Sequence, residues 1–279
     1  RSEWDLAEGA SLELAHPPDD TPLRTQRVVI EADHLINLSS LKHHPLTGTT
    51  GVMKNYYGAV TRAWDLHTHG PWMMTRTLGP WKLESELSLE LTDDSGQRAT
   101  ATVPAGEYED EALAKAIDEQ VEGFAVRPFR YQGQYLMVAT GSRTATRMTI
   151  AGPLAEAIGL PTGDCYRTEI RQTVPEVYAT PELGGKTRFS IIDAVLALYD
   201  KGPYFEPQEW LSTPDPTPNS LLIGTDPVAM DQAMTDIILR ERDRHDDLDE
   251  GSFDLSYLEV AETMGLGTRR HRLVQAAVV

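Results

Sequence analysis

The sequence predicts an α/β protein: a mixed, largely parallel sheet core with a small α+β domain inserted into it. Near-continuous apolar runs at residues 188–196 and 219–224 read as strands buried on both faces, as in a parallel sheet. The second run passes through Thr225, Asp226 and Pro227 into an amphipathic stretch at 228–240. There Asp226 can cap a helix whose first residue is Pro227. Between residues 84 and 163 the pattern changes to period-two alternation, which sets that stretch apart as its own module. The core is therefore expected from residues 1–83 and 164–279, and the inserted module from 84–163.

The elements follow in order. Residues 11–15 alternate and read as a strand, and the prolines at 17 and 18 mark a turn. Residues 27–31 and 34–38, rich in Val and Ile, read as one long strand or two short ones. A loop of basic residues and glycines comes next, then a helical stretch at 52–64. In the module, Leu87, Leu89 and Leu91 share a strand face, and residues 93–96 form a hairpin turn before the strand at 99–103. Residues 107–120 form an amphipathic helix with Leu113, Ala116 and Ile117 on its apolar side. Strands at 123–130 and 134–139 flank a tight turn at Gln132 and Gly133. A strand at 147–150 and a short helix at 153–158 close the module. Beyond it, 168–177 reads as a helix despite Pro175, 203–218 as a Pro-rich loop, 246–250 as a solvated acidic loop, and 256–264 as a last helix ended by Gly265.

Composition narrows the function. A formal charge of -18 argues against general binding to nucleic acid or anionic membranes, which needs excess Lys and Arg. No apolar run reaches the roughly 18 residues of a membrane span. The single cysteine, Cys165, excludes an internal disulfide and an iron–sulfur cluster held by this chain alone. A soluble protein is expected, cytoplasmic or exported, with the compartment left open.

Chemistry concentrates between residues 33 and 58. Gly48 and Gly51, three apart and leading into a helix, let backbone N–H groups converge on an anion, aided by the hydroxyls of Thr47, Thr49 and Thr50. The bland alternative is a tight turn whose glycines satisfy the backbone. Lys42 and Lys54 add positive charge in a strongly acidic chain. Lys54, with Asn55 beside it, can fix a phosphate or carboxylate, or act as a nucleophile if burial lowers its pKa. Of His43 and His44, one is expected to face the site, and His44 is the candidate acid/base or metal ligand. His67 and His69, on an extended segment, can chelate a divalent metal, one candidate cofactor whose identity stays open. Asp193 is a charge inside an apolar strand, so it needs Lys54, His44 or a metal as partner. Asp226 needs no function beyond its cap.

Residues 33–58 and 186–267 resemble the domain of unknown function 362 family. The match is carried by residues 36–38, Lys42, His43, His44 and 48–58, then Lys186, Thr187 and 191–194, then 219–231, and finally Tyr257, Leu258, Ala261 and 265–267. Members usually have an α/β segment before this point, which implies a partner chain supplying one, and a shorter connection where 84–163 stands. Residues 100–108, 113–118 and 157–160 resemble the small repeat module of flagellar hook-associated and phage tail proteins, which implies self-association. His44, residues 48–51 and Lys54 are similar in order to the nickel-pincer lactate racemase family, with His67 or His69 where a further metal ligand falls. Two functions stand side by side. One is a small-anion or metal protein acting on a carboxylate-bearing substrate; the other is an assembly component, such as a filament or appendage subunit, without catalysis.

Overall fold

The computed structural model describes residues 6–44, 47–67, 70–75, 79–131, 134–141, 144–200, 202, 208–213, 217–246, 248 and 255–274. Strand β1 (Leu6–Leu12) pairs antiparallel with β2 (Leu23–Gln26). Helix α1 (Arg27–Glu31) follows where the sequence suggests a strand. Its backbone closes a local Ala32-to-Val28 bond instead of a ladder, and none of its residues is buried. Strand β3 (Leu35–His44) runs through the stretch expected to be a basic loop and turns back into β4 (Gly48–Thr50). Helix α2 is one turn long (Val52–Asn55) and tightens into a 3-10 turn at Tyr56–Ala59, so the helix expected to reach 64 is shorter.

The next elements are β5 (Trp72–Met74), β6 (Trp81–Leu83), β7 (Leu87–Asp93), β8 (Arg98–Val103), β9 (Gly106–Tyr108) and α3 (Asp110–Asp118). Leu113, Ala114 and Ile117 form the buried stripe of α3, so Ala114 takes the place expected for Ala116. There follow β10 (Ala125–Tyr131), β11 (Gln134–Thr140), β12 (Arg147–Ala151), α4 (Pro153–Ala157) and β13 (Gly163–Tyr166). The chain ends in α5 (Ile170–Ala179), β14 (Thr187–Leu198), β15 (Ser220–Gly224), α6 (Pro227–Arg242) and α7 (Ser256–Thr263). The turn expected at Gln132 and Gly133, and parts of the Pro-rich and acidic loops, lie outside the described residues.

Two compact units result. One comprises Arg1–His16, Pro22–Leu66 and Ile170–Val279; the other comprises Pro17–Thr21 and His67–Glu169. The second unit holds a four-stranded sheet in the order β13-β12-β7-β8, a three-stranded sheet β10-β11-β5 and the pair β6-β9. Its core includes Leu89, Leu91, Leu113, Ile117, Met148, Ile150 and Cys165. Strands β5, β6 and β13 pair inside this unit, which is why its bounds reach beyond 84–163 on both sides.

The first unit is built on the sheet β15-β14-β3-β4. A largely parallel core was expected. Among the described residues, however, parallel pairing is confined to β14 with β3, and every other ladder is antiparallel. Strands as close in sequence as β3 and β4 can only fold back on each other as a hairpin, whereas a parallel pair needs a long crossover like that from β3 to β14. The expected two-sided burial of residues 188–196 and 219–224 fails as well. Ser190, Ile192 and Ala194 are buried with the core that also holds Leu41, Val52, Met53, Met234, Ile238 and Tyr257. The alternate residues Leu221 and Ile223 lie 57% and 66% exposed. The other side of the sheet is exposed over β15, β14 and the first half of β3, at Ile36, Leu38, Leu221 and Ile223, and is buried again at the β3–β4 hairpin, at His44 and Thr50.

Candidate functional site

The β3–β4 hairpin positions the basic residues. Lys42 pairs with Thr50, His43 with Thr49 and His44 with Gly48. Directly opposed residues of a ladder share a face, and successive residues alternate. Thr49 and His43 therefore point to one side, Lys42, His44 and Thr50 to the other. On the first side, the Thr49 hydroxyl lies 3.1 Å from the Tyr257 hydroxyl and 3.3 Å from that of Thr235. His43 is driven toward its neutral form, first by burial and then by the Arg242 charge, with Asp200 pulling the other way.

The start of α2 is already occupied, by a carboxyl group of the chain itself. Asp231, fully buried on α6, accepts the Val52 N–H at 2.5 Å and the Met53 N–H at 3.2 Å. The Tyr257 hydroxyl donates to it at 3.4 Å. Glycine at 51 is what permits this approach, because a Cβ there would lie 2.1 Å from Asp231 Oδ1. Burial raises the Asp231 pKa to about 7 against the lowering effect of these donors. The expected role of the Thr47–Gly51 loop is therefore corrected. The amides that close it at the helix start are taken by Asp231. Thr47 donates to the Thr49 carbonyl at 2.6 Å, and Thr49 is tied to Tyr257 and Thr235.

What remains for a ligand is cationic. Lys54 is 8% exposed, and its pKa is lowered to about 8 by burial and by the neighbouring charge of Lys42. Its Nζ lies 4.8 Å from the centroid of the Tyr57 ring. Lys42 is itself lowered by burial. Beside it across the ladder, the Thr50 hydroxyl is buried without a hydrogen-bond partner among the described residues, as is Ser39 of β3. His44 is buried and stands two residues along the same face.

The other candidates divide. Asn55 is structural: its Nδ2 donates to Asn37 Oδ1 at 2.7 Å and to the Leu38 carbonyl at 2.9 Å, while Asn37 Nδ2 holds the Val52 carbonyl at 2.8 Å. Asp193 partners neither Lys54 nor His44 in any described hydrogen bond. Its Oδ1 accepts the Val195 N–H at 2.8 Å, at the point where the β14 register shifts. Asp226 caps α6 through the Ala229 N–H at 2.8 Å and also takes the Thr268 N–H at 3.0 Å. Gly267 packs so closely on Asp226 that a Cβ would lie 2.0 Å from its Oδ1. His67 belongs to the second unit, and His69 lies outside the described residues. Among the described residues no three His, Cys, Asp or Glu side chains gather as a metal site, so nothing supports the expected His44, His67 and His69 metal set. No described helix is long and apolar enough to cross a membrane.

The sequence reading missed Asp231. The signal was present: Val228, Asp231, Met234, Thr235 and Ile238 recur at helical spacing, which places a carboxylate on the buried stripe of α6. A charge in that position must meet donors, and the free amides of a neighbouring helix start supply them.

Fold and site together define a mixed α/β protein in which a buried lysine, Lys54, and a half-buried one, Lys42, stand near a helix start occupied by the chain's own Asp231. The model of a family described as "Domain of unknown function (DUF362)" matches residues 14–236, and the chain belongs to that family. No curated protein matches. Among solved structures, the flagellar cap protein FliD D1-D2-D3 domains from Escherichia coli are similar at 14% identity and a TM-score of 0.27. That likeness covers 36% of this chain and 34% of the other, and it carries no argument. The resemblances to the flagellar and phage module and to the nickel-pincer family are accordingly not supported.

Proposed function

We propose that the first unit binds a small anion, a carboxylate or phosphate group, between Lys42, Thr50 and Lys54, with His44 on the same hairpin face as acid or base. The observation that carries this reading is the buried, unpartnered Thr50 hydroxyl beside Lys42, with the buried Lys54 in electrostatic reach. Two ammonium groups gathered in a partly dehydrated place repel each other and lose hydration, and an anion offsets both costs. A hydroxyl with no internal partner adds a directed donor. A lysine near its own pKa at neutral pH can also exchange a proton with a bound substrate.

Isothermal titration calorimetry with inorganic phosphate and with acetate tests the reading on the wild type, Lys54→Ala and Thr50→Val. Wild-type binding is expected, weakened at least tenfold by Lys54→Ala and less by Thr50→Val. Absence of heat for both anions at 10 mM, or equal affinities across the three proteins, refutes it.

A further inference from the structure

On the face turned away from the core, β15, β14 and the first half of β3 carry a continuous apolar patch. Register sets Leu38, Ile191 and Ile223 in one row, Ile36 and Phe189 in the next, and Leu221 beside Asp193 beyond them. Ile36, Leu38, Leu221 and Ile223 are 60%, 63%, 57% and 66% exposed. Four such side chains present roughly 450 Å² of apolar surface, as much as the largest patch of an ordinary monomer, and patches of that size commonly mark binding faces.

We propose that this face stacks on the same face of a second copy of the chain, sheet on sheet, about a two-fold axis. Doubling the patch and adding Phe189, Ile191 and the rim reaches about 1,000 to 1,200 Å², the lower end of specific interfaces. A two-fold axis along the row of Leu38, Ile191 and Ile223 lays that row on the same row of the second copy, so the centre of the contact is apolar on both sides. Two sheets packed in this way interdigitate their outward residues across about 10 Å, as the two layers of a sandwich do. The chains themselves repel at a formal charge of -18 each, while among the described residues of these rows Asp193 is the one acid. Salt therefore screens the repulsion and leaves the apolar contact in place, so the dimer tightens as ionic strength rises.

Sedimentation velocity of the full chain from 1 to 200 µM, in 50 and 500 mM NaCl, tests the proposal with Leu38→Glu and Ile223→Glu alongside. Both variants replace exposed side chains, and circular dichroism melts check that they stay folded. A concentration-dependent dimer is expected, tighter at 500 mM NaCl and weakened at least tenfold by either substitution. A wild type that is monomeric at 200 µM in both salts overturns the proposal and leaves the face to a different polypeptide. A dimer indifferent to both substitutions overturns it too, by placing self-association elsewhere.

Discussion

Replacing Asp231 with asparagine should abolish a pH dependence that the wild-type protein carries. Burial holds this carboxyl at a pKa of about 7 in the folded chain, whereas an unfolded aspartate titrates near about 3.9. Between those values the folded chain keeps a proton that the unfolded chain has released. Stability therefore falls as pH rises through the window and levels off above about 7. At roughly 1.4 kcal/mol per pH unit, the loss has a ceiling of about 4 kcal/mol, of which about 2–3 kcal/mol falls between pH 5 and 8. Asparagine keeps a carbonyl for one of the two amides and has no charge to bury, so Asp231→Asn lacks the slope. Urea melts of both proteins at pH 5, 6, 7 and 8 measure it. The variant should gain about 2–3 kcal/mol on the wild type from pH 5 to 8. A difference that stays constant over that range refutes the reasoning. Asp231→Ala, which strips an acceptor from two buried amides at about 1–3 kcal/mol each, should be destabilised throughout.

Two further predictions concern the same hairpin and helix. Gly51→Ala drives a Cβ into Asp231 Oδ1, with Met234 Cε also within 2.7 Å. It should therefore lower stability by about 3 kcal/mol or more, read as a fall in Tm, and an unchanged Tm contradicts the close approach. Lys54 is held at about 8, below the roughly 10.4 of an unfolded lysine, so the unfolded chain binds the extra proton between those values. Wild-type stability should rise from pH 8 to 10, and Lys54→Met should be more stable at pH 7 by up to about 3 kcal/mol, a gain that shrinks toward pH 10. A lower Tm for Lys54→Met at pH 7 would show that the ammonium is not held at a cost.

Much of the local structure was legible. Asp226 and Pro227 announce the start of α6 because a side-chain acceptor and a fixed φ act within a single turn. The β7–β8 hairpin is equally local, with Asp93 Oδ1 accepting the Ser95 N–H at 2.9 Å in the turn. The failures are of another kind. Residues 27–31 have the Val and Ile of a strand but no ladder partner. The apolar runs at 188–196 and 219–224 suggested two covered faces, and the number of covered faces depends on which elements pack nearby. In the candidate site, Lys42, Lys54, Thr50 and His44 could be named in advance, but not the carboxylate that fills the helix start.

By itself the sequence determined where helices begin, which residues alternate, and that a basic, glycine-containing stretch lies in an acidic chain. These follow from forces acting over a few neighbouring residues. Only the tertiary structure decided that Asp231, 180 residues beyond Gly51, occupies the start of α2, and that Lys42 and Thr50 stand side by side across a ladder. It also decided that Ile36, Leu38, Leu221 and Ile223 stay exposed together on one face of the sheet. Such outcomes depend on which distant surfaces meet and exclude water, and neither periodicity nor composition records that.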